Sequence, residues 1–387
     1  MIGIILGVPE LIIFIVAPIV GKNLYRIPYK TALLVGYFLF SLAVAGYAIL
    51  PLISGKGAYI AVCVILRCFD GFAGAVIETV TFAYLINAVP SSELSYYFAW
   101  SEVWTGLGAM IGPPIGGFLY EYTGFQITFI LNAVFLAIPI VPIAVYFENT
   151  TGQGEDDTEV SFSTLISLRW LWLTAISSTL AVLAFGALDS TLELHLKPFN
   201  LTPTQVGLLF LIPAFVYMIA GPICGNFQDR IGGKPLILVG FVLQAVGFCL
   251  IGPYPVGIWK SKIWIIIMGL LGIGLGGSLI IIPAVGVLSA ETAYLGESVN
   301  ELLSGLFPSF YALGSFIGPI LGSGFGQILG IATGYGIFGG LSALMVFVLA
   351  LMAIYEYFYW KKEYLSTPLI NKEQEKINEE TPIITSN

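Results

Sequence analysis

Apolar runs of about 20 residues recur from one end of the chain to the other, and polar turns separate them. Eleven can be placed, at about 2–20, 31–53, 58–88, 97–120, 125–147, 168–190, 205–224, 235–253, 262–288, 304–329 and 333–358. A helix of that length matches the hydrocarbon thickness of a bilayer. Hydrophobic residues make up 57% of the 387 and charged ones only 10%, against about 25% charged in a soluble domain. The expected fold class is an all-α integral membrane protein with the lipid bilayer as its surroundings.

The ten residues 225–234, Gly-Asn-Phe-Gln-Asp-Arg-Ile-Gly-Gly-Lys, form a hydrophilic turn between two of these runs. They read as a tight loop, with Asp229, Arg230 and Lys234 at the membrane boundary, where charge costs little. A similar loop occupies 21–30, 204 positions upstream, starting at Gly21. Ile-Gly-Pro-Pro-Ile-Gly at 111–116 returns as Ile-Gly-Pro-Ile-Leu-Gly at 317–322, 206 positions on. Two markers repeating in order at nearly one spacing predict a duplicated half, a common plan among membrane transporters.

These motifs resemble those of the major facilitator superfamily. Gly225, Asp229, Arg230, Gly232 and Lys234 look like its loop signature. Gly106, Gly112, Pro113, Gly116 and Gly117 resemble the fifth-helix signature of its proton-coupled antiporters, and Gly318 with Pro319 repeats that motif in the second half. Arg67, Asp70 and Gly71 resemble the fourth-helix signature. The resemblance implies a major facilitator fold of about 11 transmembrane helices in two pseudo-symmetric bundles. It divides the chain into a first bundle at 1–147, an acidic cytoplasmic linker at 148–166, a second bundle at 167–360 and a disordered cytoplasmic tail at 361–387. The superfamily has twelve helices, so the span at 2–20 resembles its second and the family's first has no counterpart here. A truncated gene model and a short isoform both fit that expectation. No basic n-region or small-residue cleavage site marks 2–20 as a signal peptide.

Loop charge agrees with this orientation. The loops and flanks assigned to the cytoplasm hold Lys22, Arg26, Lys30, Arg169, Arg230, Lys234, Lys361 and Lys362, while the other side holds Lys56, Lys197, Lys260 and Lys262. The formal charge of −8 lies largely in the linker and tail, and no basic run points to nucleic acid. Cys63, Cys68, Cys224 and Cys249 fall in apolar stretches without metal-ligand spacing, and His195 is the single histidine. No cofactor or metal is expected. No nucleophile–base pair marks an enzyme. Glu379-Glu380-Thr381-Pro382-Ile383-Ile384 resembles an acidic dileucine-type signal that a sorting adaptor would read, which favours a vesicle or endolysosomal membrane over the plasma membrane.

Ionisable residues inside spans are costly and usually functional. Those here are Glu10, Arg67, Asp70, Glu78, Glu102 and Asp189. Arg67 and Asp70 are placed three apart on one helix and can pair; with Glu10 they are candidates for proton coupling or charge relay. Glu78, Glu102 and Asp189 are candidates for binding a cation, with Tyr217, Phe310 and Tyr311 supplying aromatic faces. An acid in each half, at the interface of the repeats, can hold either a proton or an amine, which is a physical basis for exchange.

A narrower resemblance concerns the vesicular amine transporter family. Leu188-Asp189-Ser190-Thr191-Leu192 looks like its seventh-helix acid stretch, and Ser101-Glu102 with the Gly-Pro run to Tyr120 looks like its polyamine-carrying branch. The resemblance implies amine binding by Asp189, with Glu102 placed for a second amine. Ser278 and Pro308 stand where monoamine members carry acids, and Tyr25 replaces an expected Asp in the first loop. The function expected is proton-coupled antiport of polyamines or other organic cations into vesicles by alternating access. A plasma-membrane drug or metabolite efflux carrier, and an inactive truncated transporter-like isoform, are the alternatives.

Overall fold

The computed structural model describes residues 2–90, 92–150, 169–252, 261–295 and 298–380, with side chains undescribed at 2–6, 109, 113, 114, 203, 204, 229, 298 and 359–380. The backbone is helical nearly throughout these residues. The helices are α1 (Ile2–Asn23), α2 (Tyr29–Gly46), α3 (Lys56–Ala88), α4 (Leu94–Ala137), α5 (Ile140–Tyr146), α6 (Arg169–Leu196), α7 (Pro203–Ile231), α8 (Gly233–Ile251), α9 (Ile263–Thr292), α10 (Ser298–Ile328) and α11 (Ile331–Glu380). Helices are what such a sequence must form, because a bilayer offers backbone amides no partner outside their own segment.

Ten stretches of the described residues are long and apolar enough to cross a membrane. Of the eleven expected spans, 97–120 is not among the ten. It is the first arm of α4, which breaks at Gly124, with φ 76° and ψ 174°, and continues as a second arm. Only glycine takes that backbone conformation freely. Side chains 109, 113 and 114 within 97–120 are undescribed, so the ten stretches do not bear on that span.

The repeat is carried by proline as well as by sequence motif. Pro9 and Pro18 lie inside α1, and Pro213 and Pro222 lie inside α7, each pair 204 apart. Each removes one backbone donor at matching heights of the two helices. The second half is the more densely packed. One cluster of buried apolar residues joins α6, α8, α9 and α11 around Leu188, Phe248, Ile273 and Tyr335. A second spans both halves through Phe82, Phe98, Ile281 and Phe307. The cluster confined to the first half, around Leu24, Tyr29 and Val80, is small, and so is a further one that joins Ile13, Ala17 and Ala75 to Ala312 of α10. At the seam, α1 packs on α10 and α7 packs on α4.

Two expectations need correcting. The turn at 225–234 is almost entirely helix: α7 runs to Ile231 and α8 starts at Gly233, leaving Gly232, at φ 88°, as the whole connection. The charges at its boundary do not unwind a helix, so polarity alone overstated the loop. The last helix continues to Glu380, past the start of the tail expected to be disordered at 361. Residues 361–380 include four Lys and five Glu, which favour helix without needing a core. Residues 151–168, which hold most of the linker expected at 148–166, and the tail from 381 with most of the dileucine-like signal, fall outside the described residues.

Candidate functional site

Polar side chains collect where α1, α3 and α4 of the first half meet α7 and α10 of the second. Tyr217, on α7 and 8% exposed, donates its hydroxyl to Glu102 Oε2 on α4 at 2.8 Å. Its ring also meets Phe185 edge-on at 5.9 Å, which fixes the direction of the hydroxyl. Glu78 on α3 interacts electrostatically with Glu10 on α1 and with Glu102. The Tyr311 hydroxyl on α10 is within electrostatic reach of Glu102, Glu78 and Glu10. Three carboxylates from one half therefore face two phenols from the other, with no basic side chain paired to them among the described residues.

Glu10 and Glu78 also line a cavity of 810 Å³ in the first half. On its wall Arg67 Nη1 lies 3.6 Å from Asp70 Oδ2. Tyr47 donates its hydroxyl to the same oxygen, and the Arg67 guanidinium sits 5.3 Å from the centre of the Tyr47 ring. The pairing expected from i, i+3 spacing is present, and Tyr47 completes it. An aromatic 23 positions away carried no sequence signal of that role.

Asp189 stands apart. It is exposed, late in α6, and among the described residues no hydrogen bond, ion pair or electrostatic coupling joins it to Glu102. Phe310 packs edge-on against Trp172 at 6.0 Å, and its carbonyl accepts from Thr179, so its place is in the α6–α10 packing. Trp104 is 70% exposed on the cavity rim. Ser278, where an acid would mark a monoamine carrier, is buried and donates to the Leu275 carbonyl.

The glycine motifs sit at close approaches across the seam, at the end of the bundle bearing 21–30 and 225–234. A Cβ on Gly21 would lie 2.7 Å from the Glu301 carbonyl oxygen, and one on Gly225 would lie 3.0 Å from the Ser95 carbonyl oxygen. Glycine is thus required on each side of the pseudo-two-fold. Glu301 itself is 4% exposed with Oε1 unpartnered. Nearby, Asn300 Nδ2 donates to Asn87 Oδ1 at 3.0 Å, and Asn87 Nδ2 donates to the Tyr29 hydroxyl at 2.9 Å. Glu301 fell just before an expected span, so sequence reading passed over it. Gly106 meets Met218 at an ordinary 3.7 Å, whereas among the described residues nothing lies within 4 Å of where a Cβ would sit on Gly112 or Gly116. Gly318 and Pro319 press on Leu183 and Gly186 of α6.

Lys234 anchors the same end of the second half. Its Nζ lies 2.7 Å from Glu291, 3.3 Å from Glu356 and 3.8 Å from the Trp170 ring centre, and Trp170 Nε1 donates to Glu356 at 2.9 Å. Arg230 is exposed. The side chains of Asp229 and Pro113, named above in the loop and fifth-helix motifs, lie outside the described residues.

A bundle of membrane-length helices in two repeated halves, with acids held between them and glycine contacts closing one end, is the architecture of a membrane transporter. The chain belongs to the Major Facilitator Superfamily: the family model matches residues 1–187 and again 174–376, one match in each half. It is 30% identical over 382 residues to the MFS-type transporter SLC18B1 of Homo sapiens, covering 97% of this chain and 83% of that protein. It is 21% identical over 290 residues to the multidrug resistance protein MdtG of Klebsiella pneumoniae, covering 72% and 67%. Its fold is similar to the crystal structure of the human organic anion transporter MFSD10, with a TM-score of 0.71 at 17% identity over 90% of this chain and 83% of that one.

Proposed function

We propose that this transporter exchanges protons for organic cations, polyamines above all, by alternating access of a site built on Glu10, Glu78 and Glu102. The observation that carries this is the grouping of three carboxylates from α1, α3 and α4 against Tyr217 and Tyr311. Carboxylates without a basic partner in a mostly apolar seam favour a bound cation or bound protons over standing empty. Several of them suit a ligand with more than one amine, and the phenol faces add cation–π attraction. Arg67 and Asp70 serve as the charge relay beside that site. Asp189, exposed and apart, acts as an outer contact on the path of the cation, while Phe310 holds the α6–α10 packing at Trp172 and Thr179.

Glycine contacts at Gly21 and Gly225 let one end close, and rocking of the halves about them exposes the site to each side in turn. The resemblance to the vesicular amine carriers supports an acidic vesicle or endolysosomal membrane, where an outward proton flow would drive cation uptake. The relative with multidrug resistance in its name supports a second reading, drug efflux at the cell surface.

Uptake of labelled spermidine by proteoliposomes under an imposed pH gradient separates these readings. Gradient-dependent spermidine uptake supports exchange; transport of hydrophobic drugs alone supports efflux; no flux of either by folded protein favours an inactive transporter-like chain.

A further inference from the structure

Glu301 and Ser95 hold matching places in the two halves. At the repeat spacing of 206, Glu301 of α10 corresponds to Ser95 of α4. Each lies under a glycine of the opposite half: Gly21 of α1 comes down on the Glu301 carbonyl, and Gly225 of α7 on the Ser95 carbonyl. Both side chains are buried, and each keeps one atom without a hydrogen-bond partner, Glu301 Oε1 and Ser95 Oγ. The chemistry differs, because a hydroxyl brings no charge into the contact and a carboxyl group can.

The acid's contact is also the tighter of the two. An added Cβ on Gly305 would lie 2.5 Å from the Ala17 oxygen. In the twin contact, Gly221 against Ala99, a Cβ on the glycine would stand 3.8 Å off. Tyr29 of α2, itself 2% exposed, is within electrostatic reach of Glu301 and is the titratable group that couples to it among the described residues. The Tyr29 hydroxyl accepts from Asn87, and Asn87 accepts from Asn300, so a chain of hydrogen bonds joins the halves beside the acid. Basic groups on the surrounding elements turn elsewhere. Lys22 and Arg26 are exposed, Arg169 lies over the Tyr355 ring, and Lys234 pairs with Glu291 and Glu356. Among the described residues none of these, nor Lys30, forms an ion pair with Glu301. No electrostatic coupling joins it to Glu10, Glu78 or Glu102 either.

An ionised carboxylate in that place loses its water and meets no counter-charge. Glu301 stands in the first turn of α10, and the positive end of a helix offsets only part of that cost. We infer that Glu301 is a proton-binding site of the closing end, separate from the acids at the height of Tyr217. Protonated, it stays buried and the end stays closed. Ionised, it draws water in and parts α1 from α10. The closed state therefore holds one proton more than the open one, and raising the pH opens that end. Ser95 leaves the twin contact indifferent to pH, so the switch sits on one contact of the pair. The proton is taken from, and returned to, the solution at that end. The site does not depend on whether Glu10, Glu78 and Glu102 bind a cation.

The test is the width of that end against pH, read by double electron–electron resonance on the protein in nanodiscs without substrate. Cys63, Cys68, Cys224 and Cys249 are replaced by Ala, and spin labels are carried at Asn23→Cys and Tyr294→Cys, one on each half and both exposed. From about pH 5.5 to about pH 8 the longer-distance population is expected to grow about threefold or more, since a proton tied to the closed state shifts the ratio of states with pH. Glu301→Gln keeps the size and cannot ionise, and it is expected to stay closed throughout. Glu301→Ser, which copies the twin, makes the same comparison should Glu301→Gln fail to fold. Glu102→Gln is expected to respond as the unsubstituted labelled protein does. An equal response in Glu301→Gln and the unsubstituted protein overturns the inference, as does no response in the unsubstituted protein. So does a response lost in Glu102→Gln and kept in Glu301→Gln, which would move the proton to the seam acids.

Discussion

Tyr217 of the second half donates its hydroxyl to the Glu102 carboxylate of the first at 2.8 Å, so one hydrogen bond bridges the seam at the height of the acid cluster. Such a bond can form only when the halves are close at that level, and moving one half against the other stretches it. A hydrogen bond to a charged group contributes about 1.5–3 kcal/mol. Tyr217→Phe keeps the ring and its contact with Phe185 but loses the bond. It is expected to lower the melting temperature by several degrees and to weaken spermidine binding. An unchanged melt would show that the bond does not form in the membrane.

The symmetric contacts at Gly21 and Gly225 give a second prediction. A methyl group 2.7 Å from the Glu301 oxygen cannot be accommodated without moving α1 from α10. Gly21→Ala and Gly225→Ala are each expected to cost about 1–3 kcal/mol by overpacking, and to shift the protein toward the state open at that end. Faster maleimide labelling of Asn300→Cys in either variant would report the shift. Labelling at the native rate would contradict it.

Lys234 tests the same end differently. Its partners Glu291 and Glu356 are about a third exposed, so each pair contributes at most about 1 kcal/mol in solvent, but the shared lysine and its stacking on Trp170 couple them. Lys234→Gln is expected to destabilise the second half modestly, more at low salt than at high. A thermal melt in 50 mM and 500 mM salt reads this directly, and a salt-independent difference would point to packing in place of charge.

Proton and cation compete for the same carboxylates in this account. Spermidine affinity should therefore fall as pH falls, and spermidine binding should release protons into an unbuffered solution. A pH electrode records that release during titration; binding without it would separate the cation site from the proton site.

Much of the fold was legible in the sequence because a bilayer admits few solutions. Apolar length fixed the helices, and the markers at 204 to 206 fixed the duplication that proline positions and the paired family match bear out. Helix ends were less legible, since a charged turn such as 225–231 remains helical when one glycine suffices for the connection. Within the site, Glu10, Glu78 and Glu102 stood out because charge is rare in such runs. Tyr47 and Glu301 did not. A tyrosine among 20, or an acid three positions before an expected span, reveals its role only when packing brings its partner near. Asp189 stood out by its charge and by its motif, and neither says anything of distance to Glu102.

Equilibrium binding of labelled spermidine to the purified protein, compared with Glu102→Gln, tests most directly whether the acids in the seam hold the cation. Glutamine preserves size and can still accept from Tyr217, so the fold is expected to survive while the charge is lost. The predicted result is at least a tenfold weaker dissociation constant with a near-native melt. Equal affinity in the two proteins would contradict the assignment of the seam as the cation site.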